Sequence, residues 1–138
     1  MDYLKSTAPC GLDCFNCPLY KANDDKELQI QISSSLSVPM ERSLCKGCRG
    51  ENGIIPYLNM NSPCKVYKCT TNKQKNFCFE CDDFPCDYLH PYADCASTKP
   101  HNLKVFNLCL IKKMGLKNWA EHKSLDVMRT YYKKKWEI

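Results

Sequence analysis

Three stretches of the chain carry apolar residues at helical spacing. Leu28, Ile32 and Leu36 recur every four positions, which sets them on one face of an α-helix of about three turns. Ahead of them, Asn23-Asp24-Asp25-Lys26-Glu27 resembles a capping box with Asp24 as N-cap and Glu27 three positions on. Val38-Pro39 predicts the end, because a residue before proline avoids helical backbone. Leu103, Phe106, Leu110 and Met114 make a second stripe, with Lys112 and Lys113 in the last turn and Gly115 placed as C-cap. Leu125, Met128, Tyr132 and Trp136 make a third, and Trp119 falls between the two. These last two helices are expected to fold back over the preceding chain and supply most of the apolar core.

The middle of the chain is more broken. Glu51-Asn52-Gly53 reads as a turn, and Pro56 interrupts the apolar residues from Ile54 to Leu58. Ser62-Pro63 predicts an N-cap followed by proline at the first helical position, with a short helix from Cys64 to about Lys73. Pro85 is expected to open another short helix carrying Cys86 and Tyr88. There is no internal repeat, low-complexity tract or long linker. A chain of 138 residues is one domain by the usual size of about 100–200 residues. The predicted fold is mainly α: one small domain, 1–138, of short helices and irregular loops stapled by cysteine-metal sites, with a C-terminal helical pair. Residues 1–98 form its cysteine-rich, metal-bearing part and 99–138 its basic helical part.

Cysteine changes the picture most. The chain has 12, and ten lie in four clusters: Cys10-x3-Cys14-x2-Cys17, Cys45-x2-Cys48, Cys64-x4-Cys69 and Cys78-x2-Cys81-x4-Cys86. A C-x2-C turn presents two sulfurs on one side of a tight loop, where both reach one ion at about 2.3 Å once ionised. The opening MDYLKSTAPCGLDC lacks the basic and apolar run of a secretory leader, and no stretch approaches the roughly 20 apolar residues of a bilayer span. A cytoplasmic chain with reduced thiols is therefore expected, and in that setting these spacings favour zinc over a disulfide framework. In Cys45-Lys46-Gly47-Cys48-Arg49-Gly50, the glycines permit a positive φ that turns backbone N–H groups toward thiolates.

Charge argues against reading a function from the total of +5. From Lys99 onward ten basic residues face Glu121, Asp126 and Glu137, a balance of +7, so residues 1–98 carry −2. Each zinc tetrathiolate adds a net of about −2, which removes most of the positive surface that a nucleic-acid argument needs.

The order and wording of the clusters resemble a bacterial and archaeal family, domain-of-unknown-function family 3795. The resemblance runs from Cys10-Gly11-Leu12-Asp13-Cys14-Phe15-Asn16-Cys17-Pro18 through Cys45-Lys46-Gly47-Cys48, Cys64 and Cys69. It continues through Cys78-Phe79-Glu80-Cys81-Asp82-Asp83-Phe84-Pro85-Cys86 to the following helix, ending at Gly115 and Trp119. It implies a cysteine-rich, zinc-binding protein and no particular reaction. Cys95 and Cys109 stand outside the family pattern.

The metal-ligand set is thus Cys10, Cys14, Cys17, Cys45, Cys48, Cys64, Cys69, Cys78, Cys81 and Cys86, holding two Zn(2+) per chain. The simplest pairing puts Cys45, Cys48, Cys64 and Cys69 in one site. Cys78, Cys81 and Cys86 then need a fourth ligand, from the first cluster or from His90, and two thiols are spare. An iron–sulfur cluster is the alternative cofactor, since four thiolates hold iron as readily as zinc. Cys10, Cys14 and Cys17 have the spacing of radical S-adenosylmethionine enzymes, but the alternating strands and helices of their barrel are missing.

Three classes of function follow. The favoured one is a structural zinc protein acting as a binding or interaction module with a protein partner, since closed tetrathiolate sites stabilise surfaces and leave no place for water. A redox or metal-assisted enzyme would need an open metal position or a spare low-pKa thiol, with Cys10 and Cys14 the thiols to watch. Asp13, Glu80, Asp82 and Asp83 lie beside the clusters without an assigned role, and no catalytic residue is assigned. Nucleic-acid binding rests on Lys133-Lys134-Lys135 with Tyr131, Tyr132 and Trp136. A solvated helix face with its aromatics turned inward is the plainer account of that stretch.

Overall fold

The computed structural model describes residues 1–96 and 98–133. The described residues are mainly helical, with short 3-10 turns between helices and no strand. The seven α-helical segments are α1 (Pro18–Lys21), α2 (Lys26–Leu36), α3 (Gly47–Gly50), α4 (Lys65–Asn72), α5 (Lys104–Met114), α6 (Leu116–His122) and α7 (Ser124–Lys133).

Helix α2 begins one residue later than the capping box predicts. Asp25 is its N-cap, in extended backbone, and its side chain accepts from the Leu28 N–H at 3.0 Å. It ends at Leu36, as Val38-Pro39 requires, with Ser37 in the left-handed region. The face it buries is Gln29 and Ile32, while Leu36 is exposed. Gln29 is inward because its amide donates to the Met40 carbonyl at 2.9 Å, so a buried polar group is satisfied.

Helix α4 starts at Lys65, not at Cys64, and Ser62 does not cap it. The Cys64 N–H donates to the Gly53 carbonyl at 2.9 Å, which holds Cys64 extended ahead of the first turn. Pro85 opens no α-helix. Cys86 is extended, and a single 3-10 turn, Asp87–Leu89, follows.

The C-terminal helices pack as a chain of neighbours, α5 on α6 and α6 on α7. Gly115, with φ +82°, ends α5 and leads into α6. The buried face of α5 is rotated from the predicted stripe: Lys104, Asn107, Leu108 and Ile111 point inward, and Phe106 is exposed. The reason is polar. The Asn107 amide donates to the Gly11 carbonyl at 2.9 Å across a buried contact. On α7, Ser124 and Val127 are buried where Leu125, Met128 and Tyr132 are expected. Ser124 Oγ donates to the Ala120 carbonyl and accepts from Asn16 Nδ2, both at 3.1 Å. Trp136 and Lys134-Lys135, part of the third stripe and of the basic run, lie outside the described residues.

One apolar core joins the two parts of the chain. Phe15, Leu108, Ile111 and Trp119 meet in it with Phe77 and Leu89. Trp119 is fully buried and meets the Phe15 ring edge-on, with centroids 5.9 Å apart. Of the three C-terminal helices, α5 and α6 therefore cover the cysteine-bearing loops, and those loops contribute about half of the core themselves. No helix among the described residues is long and apolar enough to cross a membrane.

Candidate metal centre

All twelve cysteines are free thiols. Eight of the ten clustered cysteines fall into two neighbouring groups whose membership differs from the simplest pairing, and Cys17 and Cys45 are in neither.

The first group contains Cys10, Cys14, Cys48 and Cys64. Cys10 is buried in the core, and Cys14, Cys48 and Cys64 are packed against that same core. Gly47 explains how Cys14 reaches the Cys45–Cys48 turn. With φ +80°, it turns the loop tightly, and a Cβ there would stand 3.3 Å from Cys14 Cβ and 3.6 Å from Cys14 Sγ. Helix α3 is too short to be more than this turn. Backbone N–H groups point at the sulfurs: Leu12 at Cys10, Cys48 at Cys14, Leu19 and Tyr20 at Cys17, and Gly47 at Cys45. Such donors favour a thiolate over a thiol. Gly50 is not in the positive-φ region, so only Gly47 plays the role expected of both glycines.

The second group contains Cys69, Cys78, Cys81 and Cys86. These four thiols line one cavity of about 430 Å³, with Lys73 and Asp83 at its rim. Cys69 comes from α4, Cys78 from a 3-10 turn, and Cys81 and Cys86 from the extended segments after it. Cys64, ahead of α4, and Cys69, within it, thus serve different groups. That removes the strain of bringing residues about 140° apart on one helix to a single ion. His90 is no part of the second group: it follows the 3-10 turn in extended backbone, and its Nδ1 lies 2.9 Å from the Pro91 carbonyl. The two groups adjoin in the core, where Cys10 and Cys78 are both buried, and the Cys78 N–H donates to the Pro9 carbonyl at 3.0 Å.

Burial pushes the thiols of Cys10, Cys17 and Cys48 up, and those of Cys14 and Cys78 up to about 12 and Cys45 to about 11. A dication reverses this by replacing the protons. The donor set fits zinc or iron: sulfur only, four to a group, with hydrogen-bonded sulfurs. Among the described residues no three His, Cys, Asp or Glu side chains converge tightly enough to hold an ion as they stand.

Several supporting residues have no motif to announce them. Lys73 donates to Cys81 Sγ at 3.1 Å and to Asp83 Oδ2 at 2.8 Å. The Asp83 hydrogen bond raises the Lys73 pKa, and Lys73 in turn holds Asp83 below the usual carboxylate range. Arg49 Nε donates to the Thr7 carbonyl at 2.9 Å, its other end donates to the Asn76 carbonyl, and its guanidinium lies over the Phe77 ring. It ties the N-terminal loop, the Cys45–Cys48 turn and the Cys78 loop together. Asp13 is buried, which pushes its carboxyl up, and accepts from Asn16 Nδ2 at 2.8 Å. Glu80 accepts the Asn76 N–H at 3.0 Å, a contact within the loop.

Cys95 and Cys109 belong to neither group: Cys109 is exposed on α5, and Cys95 is half-buried in a 3-10 turn. No curated protein and no solved structure matches this chain. The family described as "Protein of unknown function (DUF3795)" matches residues 6–91, the stretch that holds both thiol groups. On that match, which covers well over half its length, the chain belongs to the DUF3795 family.

Proposed function

We propose that this protein binds zinc through cysteine thiolates and serves as a metal-stapled interaction module. One ion belongs to Cys10, Cys14, Cys48 and Cys64, and another to Cys69, Cys78, Cys81 and Cys86. The observation that carries the reading is the second group: four thiols from separated stretches facing one cavity. Zinc supplies a closed, redox-inert centre whose binding energy is folding energy. The chain's own residues supply the rest. Backbone N–H groups hold the sulfurs of the first group ready, Lys73 offsets negative charge at Cys81, and Arg49 fixes the loops. With every ligand a protein thiolate, such sites shape a surface for a protein partner and leave catalysis unassigned.

An iron–sulfur cluster is the second reading. A cavity of about 430 Å³ is roomy for a single ion, and tetrathiolate sets hold [4Fe–4S] clusters as well. Metal analysis and a visible spectrum of anaerobically purified protein decide between them. Zinc in a colourless solution is the expected result; iron with a brown chromophore would overturn the zinc reading.

A further inference from the structure

Of the thiols that line the cavity of the second group, Cys81 differs from the others in what touches its sulfur. Lys73 Nζ donates to Cys81 Sγ at 3.1 Å and to Asp83 Oδ2 at 2.8 Å, and Cys81 Sγ lies 3.7 Å from that same carboxylate oxygen. The contact is built by the backbone. Lys73 caps the end of α4, its N–H donating to the Cys69 carbonyl at 3.0 Å, and Cys81 caps the 3-10 turn Cys78–Glu80, its N–H donating to the Cys78 carbonyl at 3.0 Å. Between them the connecting loop is closed by the Lys75 N–H on the Thr70 carbonyl at 2.9 Å and by the Asn76 N–H on Glu80.

The place is open to solvent. The Lys73 and Asp83 side chains are 44% and 72% exposed, and the cavity gives a small oxidant a route to the sulfur. Oxidised cysteine sulfur is trapped by the nucleophile beside it, a thiol or a nitrogen. Here the neighbour in contact is a primary amine, while no hydrogen bond or disulfide joins Cys81 to another thiol among the described residues.

We propose that Lys73 and Cys81 form a covalent Nζ–O–Sγ bridge when the protein meets dioxygen. The S–H bond, one N–H bond and the O–O bond break, and one S–O and one N–O bond form. Sulfur and nitrogen lose two electrons each. Those four electrons reduce both oxygen atoms, one kept as the bridge and the other released as water with the two displaced protons. Asp83 holds the amine against the sulfur and stands close enough to both to pass protons on. The bridged sulfur is no longer a thiolate. In the zinc reading above, the bridge therefore withdraws one ligand from the second group and makes the retention of its ion depend on oxygen.

The test divides anaerobically purified full-length protein into two halves, one kept from air and one exposed to it. Both are denatured in iodoacetamide without reductant, digested with trypsin and read by peptide mass spectrometry. The air-exposed half is expected to yield a linked pair of peptides containing Lys73 and Cys81, uncut after Lys73, that weighs one oxygen more and two hydrogens less than the two free peptides together. Dithiothreitol is expected to separate them. Lys73→Arg keeps the charge and is expected to abolish the linked pair. The unaltered chain gives its own answer, so the test holds even where Lys73→Arg fails to fold. A link lighter by two hydrogens alone, as a direct S–N bond or a disulfide from Cys81 to Cys69, Cys78 or Cys86, would overturn the bridge. So would a Cys81 that stays free, or that ends as a sulfinic acid beside an unmodified Lys73. Zinc is counted in the anaerobic half. Zinc without the bridge sinks this inference alone, and the bridge in a chain that carries no zinc sinks the zinc reading alone.

Discussion

Burial raises the thiols of Cys14 and Cys78 to about 12, so at neutral pH they bind a cation only by giving up a proton to it. Cys95 and Cys109 have no such company. Iodoacetamide mapping of the metal-loaded protein is therefore expected to mark Cys109 and Cys95 first, and the cluster cysteines only after chelator is added. Glycine sets the other sharp constraint at this scale. Gly11 has φ +89°, and a Cβ there would lie 2.8 Å from the Lys104 carbonyl oxygen and 3.0 Å from Leu108 Cγ. Gly11→Ala is expected to cost about 2–4 kcal/mol, from left-handed backbone and overpacking together. A lower urea midpoint at unchanged slope would register it. The cysteine clusters were legible because C-x2-C spacing is a local property. Which thiols lie near one another was not, because that depends on Cys64 being pinned to Gly53 and Cys14 reaching Gly47, contacts far apart in sequence.

Helices α2 and α5 show where periodicity succeeds and where it misleads. Their ends follow from Pro39 and Gly115, which act through backbone geometry alone. Their buried faces do not follow from apolar spacing, because Gln29, Lys104 and Asn107 take inward places that hydrogen bonds or a covering ring make affordable. At the start of α2 the same local chemistry decides between neighbours. Asp25→Ala is expected to cost about 1 kcal/mol through loss of its bond to the Leu28 N–H, while Asp24→Ala stays close to neutral. Thermal melts of the two variants check this. Ahead of α5, burial lowers the His101 pKa to about 4, with Lys104 and Lys99 adding to the effect. The unfolded chain takes up that proton near pH 6.5. The stability held by neutral His101 is thus complete above about pH 6.5 and lost as the pH falls toward 4. His101→Asn should flatten the fall in stability across that window relative to the parent; an identical fall in both would refute the assignment.

The whole molecule is a helical cover over loops that have few regular hydrogen bonds of their own. A mainly helical small domain was readable from the stripes and the missing strands, and family membership from the cluster wording. The division of labour was not readable, since Phe15, Phe77 and Leu89 bring the cysteine-rich loops into the same core as Trp119. Structural zinc contributes on the order of 10 kcal/mol per site, comparable to the entire stability of a typical domain, about 5–15 kcal/mol. If the proposed zinc sites form, loops of this kind should depend on them. Far-UV circular dichroism and thermal melting of the reduced, full-length protein before and after chelation test this most directly. Loss of most helical signal and of the cooperative transition is the predicted result, restored when zinc is returned; a chelated protein with the same spectrum and the same melt would contradict the account.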